Sequence, residues 1–135
     1  MNLRDKLSVR FHIEDIREVL HFIQDDERLR EEIYQLMFDE DDTVSYQALW
    51  TCTHFSKEDV EWLSQRQNEL IDAALTCQHS GKRRMFLNLL SQQQPANPPR
   101  MDFLDFCMER VISRREPGGV QSLCIKLAHQ LTCSI

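Results

Sequence analysis

Asp42-Thr-Val-Ser-Tyr-Gln-Ala-Leu-Trp-Thr-Cys-Thr-His-Phe55 decides the architecture, because its pattern returns twice. Ser80-Gly-Lys-Arg-Arg-Met-Phe-Leu-Asn-Leu-Leu-Ser-Gln-Gln93 repeats it about 38 residues later, and Gly118-Gly-Val-Gln-Ser-Leu-Cys-Ile-Lys-Leu-Ala-His-Gln-Leu131 repeats it again. In register, Leu49, Leu87 and Ile125 coincide, as do Ala48, Phe86 and Cys124, and Cys52, Leu90 and Ala128. Each copy opens on small or polar residues and continues as an amphipathic helix. A fixed period of this size belongs to stacked helical hairpins, in which no unit buries its apolar face alone.

Working outward, the preceding helices align too. Ile33, Ile71 and Met108 match, then Leu36, Ala74 and Val111, then Met37, Leu75 and Ile112. The remaining chain also reads as helix, since only 3 glycines occur and no period-2 alternation is sustained. A first helix is expected over 12–24, on the stripe Ile13, Ile16, Leu20, Ile23, and the next over 27–38, capped by Asp26. The acidic turn Asp39–Asp42 leads to a helix over 43–55. Ser56 and Asp59 read as a capping box for a helix over 57–76, whose polar middle, residues 64–68, invites a break. Ser80 is expected to cap a helix over 81–93. The run Gln92–Pro99 then interrupts the chain, and helices follow over 100–114 and 118–133, with Pro117 at a first helical position. The result is a single domain over 1–135: a capping helix, 12–24, and three pairs, 27–55, 57–93 and 100–133.

Composition excludes several classes. At 135 residues the chain is long enough for a real core. No apolar run approaches the ~20 residues that cross a bilayer, and Met1-Asn-Leu-Arg-Asp-Lys6 does not read as a secretory signal. Cys52, Cys77, Cys107, Cys124 and Cys133 are odd in number and widely spaced, which suits buried thiols in a reducing cytoplasm. Charge is polarised: residues 1–76 carry 8 basic and 18 acidic side chains, a balance of −10, whereas residues 77–135 carry 8 and 4, a balance of +4. Such a split can guide partners or self-association.

The opening Asp42-Thr-Val-Ser-Tyr-Gln-Ala-Leu-Trp50 resembles the start of the second helix of a HEAT unit, with its acidic residue, aliphatic and alanine, and the likeness to HEAT and armadillo repeats covers about residues 27–133. Lys82 replaces the expected aliphatic in the second copy, and Gly118-Gly119 precedes Val120 in the third. The resemblance implies an all-α, right-handed α-α superhelix of about three pairs whose second helices line a concave binding face.

Chemistry is sparse. The five histidines are scattered, and the spacings Cys52/His54 and Cys77/His79 do not build the four-ligand pattern of a zinc site. Neither a metal, a cofactor nor a catalytic residue is expected. Ser80-Gly-Lys-Arg-Arg84 lacks the upstream glycine of a phosphate loop, but it places a basic cluster beside free helix N–H groups. Trp50 aligns with the polar Asn88 and Lys126, which suggests a contact face of Trp50, His54, Lys82, Arg83, Arg84 and Asn88, with Thr53 nearby. Packing is the ordinary role of both Trp50 and Trp62.

These residues fit a non-enzymatic, cytoplasmic, bacterial-style scaffold that binds another protein. Self-association is a further option, through a C-terminal helix expected to leave Val120, Leu123, Leu127 and Leu131 open. The alternative is nucleic-acid binding: some bacterial DNA alkylation-repair glycosylases are built from HEAT-like repeats, and Lys82, Arg83, Arg84, Arg110, Arg114 and Arg115 can meet phosphates. A net charge of −6 opposes it. Adenylosuccinate lyase, a name some similar short chains carry, finds no support, since Gln94–Pro99 shares only Asn-Pro with the signature loop of that superfamily.

Overall fold

A computed structural model describes residues 1–96, 98–113 and 118–133. Among these residues the regular structure is all helix, with no strand. Asn97, Arg114, Arg115, Glu116 and Pro117 lie outside them, and with them the expected first-turn Pro117 and two of the basic candidates. The chain divides into two compact units, Met1–Ser56 and Lys57–Ile135.

The N-terminal unit contains α1 (Leu3–Leu7), α2 (Ile13–Ile23), α3 (Glu27–Leu36) and α4 (Asp42–Cys52). Sequence periodicity missed α1, because five residues are too few to show a period. It is nonetheless anchored at both ends. Asn2 accepts from the Asp5 N–H at 3.0 Å, while the Gln47 amide of α4 donates to the Leu7 and Val9 carbonyls. Leu3 and Leu7 are buried where α1 packs on α3 and α4. Asp26 caps α3, accepting from Arg28 and Leu29, and Asp41 caps α4, accepting from Thr43 and Val44. These carboxylates satisfy N–H groups that a helix leaves open and oppose its positive end. Asp25, just before the α3 cap, takes φ 58°. The core joins Ile16, Val19 and Ile23 to Ile33, Tyr34, Met37, Ala48, Leu49 and Cys52. Ile13 is 37% exposed, because the buried stripe of α2 runs through Val19 instead. Buried Ser45 and Thr51 donate to the Met37 and Gln47 carbonyls, so neither hydroxyl is orphaned.

The C-terminal unit contains α5 (Lys57–Ser64), α6 (Gln67–Thr76), α7 (Ser80–Ser91), α8 (Met101–Ser113) and α9 (Gly118–Cys133). The chain breaks between α5 and α6 inside the polar stretch, where Gln65 and Arg66 donate to the Trp62 and Leu63 carbonyls and close a tight turn. His79, not Ser80, caps α7: its Nδ1 accepts from the Lys82 N–H at 3.1 Å. Within this unit α6 packs on α7 and α8, and α9 on α7 and α8.

Burial tests the repeat register directly. Along the second helices, Ala48, Phe86 and Cys124 are all buried, as are Thr51, Leu89 and Leu127, and Cys52, Leu90 and Ala128. Phe55, Gln93 and Leu131 form one more buried column at the same spacing. The Leu49–Leu87–Ile125 column fails in its last member, with Ile125 53% exposed.

The first helices need a larger correction. Buried triplets with one local spacing are Ile33, Tyr34, Met37 in α3, Leu70, Ile71, Ala74 in α6 and Phe103, Leu104, Cys107 in α8. The third triplet comes earlier than the sequence alignment placed it, so Met108 and Ile112, expected inside, are 42% and 76% exposed. The proline-interrupted turn before α8 resets the helix's phase. A shift of a few residues rotates its apolar stripe at 100° per residue. The C-terminal helix also differs from expectation. Val120, Leu127 and Leu131 are buried and Leu123 is half-buried, so the open apolar surface lies at Met101, Met108, Ile112 and Ile125 instead.

Candidate functional site

The suggested contact residues fall in both units. In the N-terminal unit, Trp50 belongs to the end of α4 and His54 to the turn that follows it. Trp50 is half-buried and meets Phe11 edge-to-face, with ring centroids 6.0 Å apart, so part of its surface is spent on packing. His54, one turn on, is exposed. Thr53 turns back, donating its hydroxyl to the Trp50 carbonyl.

In the C-terminal unit, Lys82, Arg83, Arg84 and Asn88 all lie on α7, and they do different things. The Arg83 guanidinium donates to the Cys77 carbonyl, and its carbon lies 5.9 Å from the Phe106 ring centre. Arg110 of α8 approaches the same ring at 4.8 Å. Phe106 thus carries two guanidinium groups, an arrangement that cation–π attraction and the apolar stems of arginine both favour. Arg84 is exposed and lies against the first turn of α9: a Cβ on Gly119 would come within 3.1 Å of its Nε. Gly119 therefore leaves room for arginine to lie flat over the helix start. Asn88, one turn after Arg84, is half-buried and accepts from the Gln92 amide at 2.8 Å. Lys82 is half-buried, and its backbone serves the α7 cap.

The structure therefore brings Arg83 and Arg110 together at Phe106, and separately lays Arg84 against Gly119. Two of these five were absent from the sequence-based set. Phe106 carries no local signal, and Gly119 looked like a repeat-opening residue only.

On the same unit a second ionic group forms around Arg100, which bonds Asp102 at 2.6 Å, Asp72 at 2.9 Å and the Asn68 carbonyl at 3.2 Å. Arg100 holds the Asp102 carboxyl below its ordinary range, chiefly by hydrogen bonding, and Asp102 in turn raises Arg100. This arrangement ties α6 to the start of α8. Among the described residues, no group of three or more His, Cys, Asp or Glu could hold a metal ion, and no helix is long and apolar enough to cross a membrane.

Paired helices, columns of buried residues at a 38-residue spacing and polar outer flanks define a helical repeat protein. The HEAT repeat domain model matches residues 3–135, so the chain belongs to the HEAT repeat domain family. The match begins at α1, which the sequence reading left out of the repeats. No curated protein and no solved structure matches the chain.

Proposed function

We propose that this chain is a non-enzymatic scaffold that binds another protein, with the outward flank of α7 in the C-terminal unit as one candidate surface and that of α4 in the N-terminal unit as a separate one. The supporting observation is one of register. The columns through Ala48/Phe86, Thr51/Leu89 and Cys52/Leu90 are buried, while Trp50 on α4, His54 in the turn after it, and Arg84 and Asn88 on α7 keep part of their surface open. The exposed Arg84 on α7 suits an acidic protein segment, because arginine pairs bidentately with carboxylates. HEAT repeats serve broadly as helical scaffolds, which fits this reading.

The second reading, nucleic-acid binding of the DNA alkylation-repair kind, draws on Arg83, Arg84 and Arg110. One experiment separates the two. The tagged chain is used to capture partners from native lysate with and without nuclease, alongside Trp50→Ala and Arg84→Glu. A nuclease-resistant protein partner, weakened by either substitution, is the expected result. Capture lost on nuclease treatment would transfer the reading to nucleic acid. A protein partner indifferent to both substitutions would remove these flanks from the contact face.

A further inference from the structure

Among the described residues of the C-terminal unit, the exposed large apolar side chains are Met101, Met108 and Ile112 on α8 and Ile125 on α9. They share one surface. Met101, Asp105, Met108 and Ile112 recur at steps of 4, 3 and 4, the spacing of a single helix face, and that face is turned away from the buried Phe103, Leu104 and Cys107. Two contacts set the level of the antiparallel neighbour. Cys107 meets Cys124 through a side-chain hydrogen bond, and the Gln121 amide donates to the Val111 carbonyl at 2.8 Å. Counting along both helices from these contacts, Met108 stands level with Ile125, and Asp105 with Lys126. The outward side of this hairpin is therefore an apolar strip open to water, which costs free energy while it stays uncovered.

Charge says what covers it. Asp102 and Glu109 of α8 are balanced by Arg100 and Arg110. Asp105 and Lys126 are exposed, and among the described residues neither side chain has an ion pair within the chain. The strip thus carries one open negative charge on α8 and one open positive charge on α9, at the same level. A two-fold axis across the helices would stack α8 on α8 and α9 on α9, like charge on like. An axis along the helices stacks α8 on α9 and preserves the level. It lays Met108 over the partner's Ile125 and sets Asp105 against the partner's Lys126, each contact occurring twice. The strip is complementary to itself in that arrangement only, and an aspartate within an apolar seam fixes the register by demanding its counter-charge.

We propose that the outward side of the α8–α9 hairpin binds a second copy of this chain as an isologous dimer, α8 of each copy lying on α9 of the other and Asp105 pairing with the partner's Lys126. The face is two helices wide and about 20 Å long, toward the small end of specific interfaces, so the dimer should form at micromolar concentration. Below that range these side chains stand in water, and substitutions there change association and not folding. The dimer uses neither the α4 flank nor the α7 flank, so it stands or falls apart from the scaffold reading.

Sedimentation of the full chain across a concentration series should show its mass rising from one chain to two. Ile112→Lys, at an exposed position, should leave helix content and melting unchanged and keep the chain monomeric. Asp105→Lys alone and Lys126→Asp alone should each weaken the dimer about tenfold or more, because symmetry counts every change twice. Mixing those two variants is the decisive step. Each repels its own kind, yet the mixture restores both opposite-charge pairs, so the two should form a heterodimer near the wild-type affinity. That recovery also shows that both variants are folded. A wild-type chain that stays monomeric would overturn the assignment, as would a dimer indifferent to Ile112→Lys. An Asp105→Lys chain that dimerises more tightly would mean that α8 lies on α8, and a mixture that fails to pair would remove the Asp105–Lys126 contact; either result sinks the arrangement.

Discussion

Leu49 and Ile125 are the same kind of residue at the same place in the sequence repeat, yet one is fully buried and the other 53% exposed. The difference is energetic as well as geometric. Leu49→Ala should cost about 2–5 kcal/mol, the range for emptying a packed core position. Ile125→Ala should cost under about 0.5 kcal/mol, as surface changes do. Chemical denaturation of the two variants checks the contrast, and similar costs would mean that α9 is rotated from the orientation described. Asp25 shows a different residue-scale constraint. Its φ of 58° lies in the region that only Gly, Asn and Asp enter readily, which explains why an aspartate stands at the sharp turn ahead of the α3 cap.

At the scale of elements, α1 is the least self-sufficient piece, since five residues cannot sustain a helix by backbone bonds alone. Beyond Leu3, Leu7, the Asn2 cap and the Gln47 amide, it is held by charge. Arg4 bonds Asp39 through two contacts at 3.0 and 3.1 Å, and Lys6 bonds Asp15 at 2.8 Å and Glu18 at 3.0 Å. Arg4 lowers the Asp39 pKa and Lys6 lowers that of Asp15, each chiefly by hydrogen bonding, with backbone N–H donors from Asp41 and His12 adding to it. A carboxylate whose folded pKa is depressed stabilises fully above its unfolded pKa of about 3.9, and that contribution disappears as pH falls through the folded value. The N-terminal unit should therefore lose stability below about pH 4. Arg4→Ala with Lys6→Met should flatten that acid limb. Thermal melts across pH read it, and an unchanged acid limb in the double variant would remove these pairs from the account. The pairs remain partly open to solvent, so salt should weaken the effect.

At the scale of the whole molecule, the thiols report which parts of the chain are closed. Cys107 and Cys124 face each other between α8 and α9, and their hydrogen bond, together with burial, pushes the Cys107 thiol far above its ordinary pKa. Thiolates are the reactive form. Pulsed alkylation should label Cys133 first and Cys77 second, and should reach Cys52, Cys107 and Cys124 only at the rate of unfolding. Early labelling of Cys107 or Cys124 would show that α8 and α9 separate far below the global transition.

Local chemistry wrote much of this fold into the chain. Helix caps at Asp26 and near Asp41–Asp42 and the break within 64–68 are legible because a cap and a polar gap act over a few residues. The 38-residue spacing of the second helices is legible for the same reason that it is structural: each copy buries the same face of one helix. The candidate site was only partly legible. Arg83, Arg84 and Arg110 stand out as charge, whereas Phe106 and Gly119 acquire meaning only once α7, α8 and α9 meet. The sequence by itself determined an all-helical repeat and the Asp26 cap of α3. Tertiary structure alone decided the phase of α8, the exposure of Met108, Ile112 and Ile125, the use of α1 and the burial of Gln93. Those depend on how a helix is rotated against its neighbours, and a periodic pattern leaves that rotation open until packing selects it.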